Sequence, residues 1–327
     1  MAEERGESLV GAIETGGTKV VCAVGTGPGE SLRARVSFPT GGEPERLLDR
    51  VAEWLLVQEW EHGRLAAIGV ASFGPVDLDP ASRTYGYITS TPKEGWRQTD
   101  LLGGLRRRLG ERPMGFDTDV NAAALGELVW GGAQGLADFL YLTIGTGIGG
   151  GGMVGGALMH GLLHPEMGHM LLPRLPGDDF PGVCPFHGAC WEGLCTGPAI
   201  EARTGVRAEA LAADHPVWEM ETRYIAFALA NLIYSLSPRR ILIGGSVRKA
   251  GQYGEARFFA ALRRHVQAAL NHYLDSPALG VGIEEYLVAP TLGDDAGVCG
   301  AIALAQRALG EGGSKLRRGE SGRVVEI

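Results

Sequence analysis

Two stretches of this chain, far apart in sequence, share one pattern: an apolar run, a glycine-rich loop and a second apolar run. Val10-Gly-Ala-Ile13 and Val20-Val-Cys-Ala-Val24 flank Glu14-Thr-Gly16-Gly17-Thr18-Lys19. Phe139-Leu-Tyr-Leu-Thr-Ile144 and Gly151-Gly-Met-Val154 flank Gly145-Thr146-Gly147-Ile148-Gly149-Gly150. Each predicts a β-hairpin, because apolar residues at strand spacing are interrupted only where glycine permits a tight reversal. Repetition of the unit predicts two similar lobes. Helical and strand patterns alternate behind both hairpins. The residues Leu47, Leu48, Val51, Trp54 and Leu55 give 44–60 an apolar helix face, ahead of a strand at 67–71. Helices are predicted at 101–109, 121–130, 198–204, 216–236 and 296–309, and strands at 114–116, 240–243 and 286–289. The expected class is α/β, with ligands held where the glycine loops of two lobes face a cleft.

Composition narrows the function. The chain has 327 residues, 45% of them hydrophobic, enough for a sizeable core in each lobe. A net charge of -8, with basic runs no longer than Arg106-Arg107-Arg108 and the tail's Lys315-Leu-Arg317-Arg318, argues against a nucleic-acid surface. No apolar run reaches the ~18 residues that cross a bilayer, and Met1-Ala-Glu-Glu-Arg5 has no apolar segment behind it, so a cytoplasmic protein is expected. Five cysteines fit a reducing compartment, with Cys22 and Cys299 as small core residues. The 52 glycines cluster in loops, and the Gly- and charge-rich end over 310–327 is expected to be disordered.

Between Pro165 and Glu192, four soft or borderline ligands converge: His169, Cys184, His187 and Cys190. Two thiolates and two imidazoles make a closed tetrahedral shell for Zn²⁺, which leaves no position for a catalytic water, so the metal is expected to be structural. Glu166 and Glu192 lie beside these ligands, and a metal that fixes the loop fixes both carboxylates for contact with substrate. The first glycine loop supplies Gly16, Gly17, Thr18 and Lys19, groups that suit phosphate oxygens, although taken alone it reads better as a plain hairpin turn. The second contains the letters of a dinucleotide fingerprint, but a strand follows it rather than a helix, which excludes NAD. Asp117-Thr118-Asp119-Val120-Asn121 ends a strand and opens a helix. Asp119 or Thr118 could cap that helix. Phosphoryl transfer needs one carboxylate that orients the attacking hydroxyl, so Asp119 is expected to be the base and capping falls to a neighbour.

Taken jointly, Glu14-Thr-Gly-Gly-Thr-Lys19, Asp119-Val-Asn121, Gly145-Thr-Gly-Ile-Gly-Gly150, Pro165-Glu-Met-Gly-His169 and Cys184-Pro-Phe-His-Gly-Ala-Cys-Trp-Glu192 resemble the ROK family of sugar kinases, most closely its bacterial fructokinase branch. The resemblance runs to about Gly300. It implies the two-lobed actin/hexokinase-like (ribonuclease H-like) ATPase fold, with ATP and Mg²⁺ as partners. It also implies lobes at 1–118, completed by the helix near 296–309, and at 119–295, with a homodimer as the assembly. By the same resemblance Asp119 is the general base, and the glycine loops, with Thr146, Gly147 and Gly149 in the second, hold phosphates. Gly244, Gly245 and Gly293 lie on the adenosine side, and Glu166, His169 and Glu192 touch sugar hydroxyls, with His169 also on zinc. Tyr85–Trp96 is similar to the segment over the sugar. Glu14 stands where many members have Asp, Thr118 where many have Asn, and the metal loop is Cys-x2-His-x2-Cys, all three features of the fructokinase branch. The first hairpin begins within ten residues of Met1, so the DNA-binding domain of ROK repressors is not expected. The expected reaction is ATP-dependent phosphorylation of a hexose at its 6-hydroxyl, fructose favoured. The alternatives are a glucokinase or broad hexokinase or mannokinase, and a sugar sensor without turnover.

Overall fold

The computed structural model describes residues 8–310 and the backbone of 317–318 and 324–325. The chain runs β1 (Val10–Thr15), β2 (Lys19–Gly25), β3 (Leu32–Pro39), α1 (Pro44–His62), β4 (Ile68–Ser72), β5 (Tyr87–Ile88), β6 (Thr99–Asp100), α2 (Leu101–Leu109), β7 (Met114–Thr118) and α3 (Asp119–Trp130). It continues through β8 (Phe139–Ile144), β9 (Ile148–Val154), β10 (Ala157–Leu158), α4 (Trp191–Cys195), α5 (Gly197–Thr204), α6 (Val217–Leu236), β11 (Ile241–Gly244), α7 (Glu255–Leu270), α8 (Ile283–Tyr286), β12 (Leu287–Val288) and α9 (Ala296–Ala308). Past α9, β13 (Arg317–Arg318) pairs antiparallel with β14 (Val324–Val325); the rest of the tail expected to be disordered lies outside the described residues.

Two five-stranded sheets share one plan, β3-β2-β1-β4-β7 and β10-β9-β8-β11-β12. In the first, β1, β2 and β3 form an antiparallel meander and β4 and β7 join parallel to β1. In the second, β8, β11 and β12 are parallel. Parallel neighbours need a crossover, and α1 and α2 supply it in the first sheet as α7 does between β11 and β12. Two differences from the sequence reading arise at weakly patterned segments. β3 alternates half-buried and exposed residues and carries Arg33 and Arg35, so it does not stand out as an apolar run. Tyr286 ends the short helix α8, which leaves only Leu287–Val288 in the last strand.

The residues group into two compact units, Met1–Ala137 with Gly151–Pro165 and Thr291–Ile327, and Asp138–Gly150 with Glu166–Pro290. Helix α3 and residues 151–165, expected in the second lobe, therefore group with the first. The reason is the contact between α3 and α9. A Cβ on Gly300 would sit 1.8 Å from the Ala122 carbonyl oxygen, so these helices approach backbone to backbone. Helix α9 also lies on β4, where a Cβ on Gly69 would meet the Ala301 oxygen at 1.7 Å. Glycine thus sets helix packing as well as loops. The first unit's core joins Ile13, Cys22, Leu48, Leu55, Val70, Trp96 and Leu105. In the second unit, Leu142, Ile243, Trp218, Tyr224, Leu229, Phe258 and Leu262 are buried. Among the described residues, no helix is long and apolar enough to cross a membrane.

Candidate active site

The first glycine loop joins β1 to β2 and is open. Its Gly16 N–H donates to the Lys19 carbonyl at 2.9 Å, and a Cβ on Gly17 would meet nothing within 4 Å. Neighbours hold it from outside: Thr40 Oγ1 donates to the Gly16 carbonyl at 2.8 Å, and Lys93 Nζ donates to the Gly17 carbonyl. Lys93 belongs to the Tyr85–Trp96 segment, which is pinned by the buried Trp96, whose Nε1 donates to the Gly41 carbonyl at 2.9 Å. Burial pushes the Glu14 carboxyl up to about 7 against the opposing pull of Lys19 and Arg35. Its Oε1 lies 2.1 Å from where a Cβ on Gly297 would stand, so the side chain packs on the first turn of α9.

Asp119 occupies the first turn of α3, two residues earlier than the sequence pattern placed the helix start. Thr118 takes the capping role: its Oγ1 accepts from the Asn121 N–H at 3.1 Å. Asp119 is half-buried, and its Oδ1 accepts from the Val120 N–H at 2.9 Å. Underneath lies a network that the sequence did not reveal. Asp117 is buried, and its Oδ1 accepts from the Thr118 N–H at 2.8 Å and from Asn121 Nδ2 at 2.9 Å. Its Oδ2 pairs with His160 Nε2 at 2.9 Å. Asn121 also spans to Met159 and Gly152. The hydrogen bond to Asp117 raises the His160 pKa, against partial burial. Asp117 and Asn121 were visible as letters beside Asp119, but nothing in the spacing points to His160.

The second glycine loop differs from the first. Gly145 N–H donates to the Gly147 carbonyl at 2.9 Å, and the Gly197 N–H donates to the Gly145 carbonyl at 2.8 Å, which ties the loop to the start of α5. The Ile148 N–H donates to Glu192 Oε2 at 2.9 Å, and a Cβ on Gly147 would lie 2.8 Å from the same oxygen. A candidate phosphate loop and a candidate sugar carboxylate are therefore in direct contact. Desolvation and then the like charge of Glu192 push the Glu166 carboxyl up, although its side chain still reaches solvent. A cavity of about 580 Å³ opens beside the loop, lined by Thr146, Pro198, Arg207, Ser246 and Lys249 among others. Gly244 and Gly245 end β11 close by, Gly245 with φ +85°. Gly293, with φ +59°, precedes α9 in the other unit.

The four soft ligands converge. His169, Cys184, His187 and Cys190 each offer an atom within 4.8 Å of the others. Metal bonds of about 2.3 Å to sulfur and 2.0–2.1 Å to nitrogen at tetrahedral angles put ligand atoms about 3.6 Å apart. Cys184 Sγ lies 3.8 Å from His169 Nδ1 and 3.7 Å from His187 Nδ1, and Cys190 Sγ lies 3.6 Å from His169 Nδ1. The donor set and spacing fit zinc. Burial, with Cys184 nearby, pushes the Cys190 thiol up to about 11, a cost that a coordinated cation reverses by taking the thiolate. The knuckle closes because Gly188 returns hydrogen bonds with Cys184 and because Gly193 has no Cβ to strike the Gly188 carbonyl, 1.8 Å from where one would stand. A second anchor went unread in the sequence. Asp178 accepts from Arg203 at 2.5 and 3.2 Å and from Tyr224 Oη at 2.5 Å, binding the stretch before the knuckle to α5 and α6. Burial opposes the Asp178 charge, but these hydrogen bonds win and hold its carboxyl down at about 2.

The ROK family profile matches residues 10–308. The chain belongs to the ROK family. It is 47% identical to a Bacillus subtilis (strain 168) protein provisionally named a fructokinase, over 92% of this chain and 96% of that one. With the fructokinase of Pediococcus pentosaceus it shares 41% identity over 92% of this chain and 99% of its relative. The ROK hexokinase of Thermus thermophilus superposes with a TM-score of 0.73 at 29% identity, covering 93% of this chain and all (100%) of the other. A ROK glucokinase from Streptomyces griseus, solved with glucose and AMPPNP, has the same fold at 24% identity, with a TM-score of 0.71 over 92% of this chain and 100% of that one. The fold of this ROK chain is thus the two-lobed actin/hexokinase-like (ribonuclease H-like) α/β ATPase fold expected from its sequence.

Proposed function

We propose that this chain is an ATP-dependent fructokinase, transferring the γ-phosphoryl group of ATP to the 6-hydroxyl of fructose. Fructokinase names among relatives of 37% to 47% identity support the substrate. The observation that carries the chemistry is Asp119 in the first turn of α3, directly after β7, with capping left to Thr118. In this reading Asp119 orients the attacking hydroxyl and takes its proton. Glu166, His169 and Glu192 accept or donate hydrogen bonds to the other hydroxyls, which rejects ligands lacking them. ATP enters as its magnesium complex. Gly16, Gly17, Thr18 and Lys19 with Thr146, Gly147 and Gly149 hold its phosphates, and Gly244, Gly245 and Gly293 its adenosine side. The cavity beside Thr146 suits the nucleoside. Zinc on His169, Cys184, His187 and Cys190 supplies no chemistry to the transfer; it keeps Glu192 and His169 in place. A homodimer in the cytoplasm completes the proposal.

The test is a coupled assay with ATP, Mg²⁺ and separate fructose, glucose, mannose and N-acetylglucosamine, run on wild type and Asp119→Asn. Fructose should give the highest kcat/KM, and the variant should lose about 10²–10⁴ in kcat with sugar binding kept. Preference for glucose or mannose would move the chain to a broad hexokinase. Sugar binding without turnover would make it a sensor, and a variant above a tenth of wild-type kcat would remove Asp119 from the role of base.

A further inference from the structure

Glu127, on the last turns of α3, is fully buried at 0% exposure, and its carboxylate is satisfied by main-chain donors. Its Oε2 accepts from the Gly132 N–H at 2.6 Å and the Thr291 N–H at 3.2 Å, while Oε1 accepts from the Leu292 N–H at 2.8 Å. The site is shaped around the charge. A Cβ on Gly131 would stand 2.1 Å from Oε2, so the chain leaves α3 through a glycine exactly where the carboxylate needs room. Burying a carboxylate is costly unless several hydrogen bonds compensate, and an apolar side chain would fill the same space without that cost. The return is geometric: one rigid acceptor collects amides from two stretches that are distant in sequence.

Those amides lie at a telling place. Thr291 and Leu292 immediately precede Gly293, whose φ of +59° turns the chain into Asp294, Asp295 and α9. The other end of α3 carries Asp119. One helix thus has the candidate base in its first turn and, near its last, a carboxylate gripping the loop that leads to the candidate nucleotide glycine. The Arg35–Asp295 ion pair at 2.5 Å restrains the far side of the same loop but is partly exposed, 36% and 49% for its two side chains, so Glu127 is the stronger tie.

We propose that Glu127 is a positioning residue for the nucleotide: its carboxylate fixes the Thr291–Gly293 loop, whose Gly293 the kinase reading gives to ATP, and couples that loop to the helix of Asp119. The proposal deepens the kinase reading and rests on it. Glu127→Gln keeps the volume but turns an N–H₂ group toward amide donors, so at least one of the loop's hydrogen bonds must break. Glu127→Asp keeps the charge with a shorter reach and should recover part of the function.

The experiment uses the full chain in both variants. Steady-state kinetics should show the KM for ATP raised about tenfold in Glu127→Gln, with the sugar KM within twofold of wild type, and an intermediate ATP KM in Glu127→Asp. Hydrogen exchange, which needs no turnover, should show the Thr291 and Leu292 amides exchanging about ten times faster or more in Glu127→Gln, with the amides of α5 unchanged. If wild type phosphorylates no hexose, the kinase reading fails and exchange alone still reports whether Glu127 holds the loop. An unchanged ATP KM with protected amides in Glu127→Gln overturns the proposal. So does a parallel rise of both KM values with protection lost throughout the chain, because that is the signature of general destabilisation.

Discussion

The two glycine hairpins look alike in sequence and behave differently in the molecule. The first, at 14–19, leaves Gly17 with open space and is held by one internal bond, Gly16 to Lys19, and from outside by Thr40 and Lys93. The second, at 145–150, is wedged: Gly147 faces the Glu192 carboxylate, and a Cβ on Gly150 would meet Met167 Sδ at 2.6 Å. Glycine leaves open space in one loop and allows close protein packing in the other. The second loop is therefore mechanically joined to the knuckle that carries the sugar candidates.

The largest effect should come from the metal. Cys184→Ser is expected to lose zinc by elemental analysis, where wild type should hold about one per chain. Metal–ligand free energy at a structural site is on the order of 10 kcal/mol, most of it felt as local order in the knuckle. The sugar KM should rise at least tenfold, and because Glu192 binds the Ile148 N–H, the ATP KM should rise too, by a smaller factor. A zinc-free wild type with full activity would break the comparison at its root.

Gly147→Ala and Gly17→Ala set the loops against each other directly. A methyl at 147 must displace Glu192, so both the sugar and ATP KM values should rise, by about tenfold each. At 17 the methyl has space in the protein, so thermal stability should hold within about 0.5 kcal/mol and only the ATP KM should move. Equal sugar KM values in the two variants would mean the second loop is no more coupled than the first.

The Asp178 anchor predicts a stability effect in the second unit. Asp178→Asn breaks a buried ion pair and should cost about 2–4 kcal/mol in denaturant unfolding. The native carboxyl titrates below its unfolded value of about 3.9. Its contribution is therefore full above that pH and is lost as pH falls toward about 2, so the variant should flatten the acid limb of the stability profile. A wild-type acid limb in Asp178→Asn would remove the clamp from the account.

The smallest effect belongs beneath Asp119. His160 has its pKa raised by Asp117, so its contribution is complete below the unfolded value of about 6.5 and disappears as pH rises through the higher folded value. The ring is about half exposed, and solvent screening limits the effect to under about 1 kcal/mol. A substitution offers a simple check: His160→Gln should reduce the stability change between pH 6 and 8, leaving the part due to Glu14, whose carboxyl is pushed up to about 7, and the acid limb set by Asp178 untouched.

Residue order alone determined the paired hairpins, the α/β alternation, the convergence of two cysteines and two histidines and the place of Asp119 at a strand-to-helix junction, because each is written within a short window where strand period, helix period or ligand spacing can be read directly. Tertiary structure decided the rest. It brought His160 to Asp117, Asp178 to Arg203 and Glu192 to the Ile148 amide, pairs separated by 25 to 44 residues. It placed α3 with α9 through the bare backbones of Ala122 and Gly300. The physical reason is common to all of them: a hydrogen bond or a close helix crossing depends on where the sheets and helices carry each group, and no local period in the sequence encodes that distance.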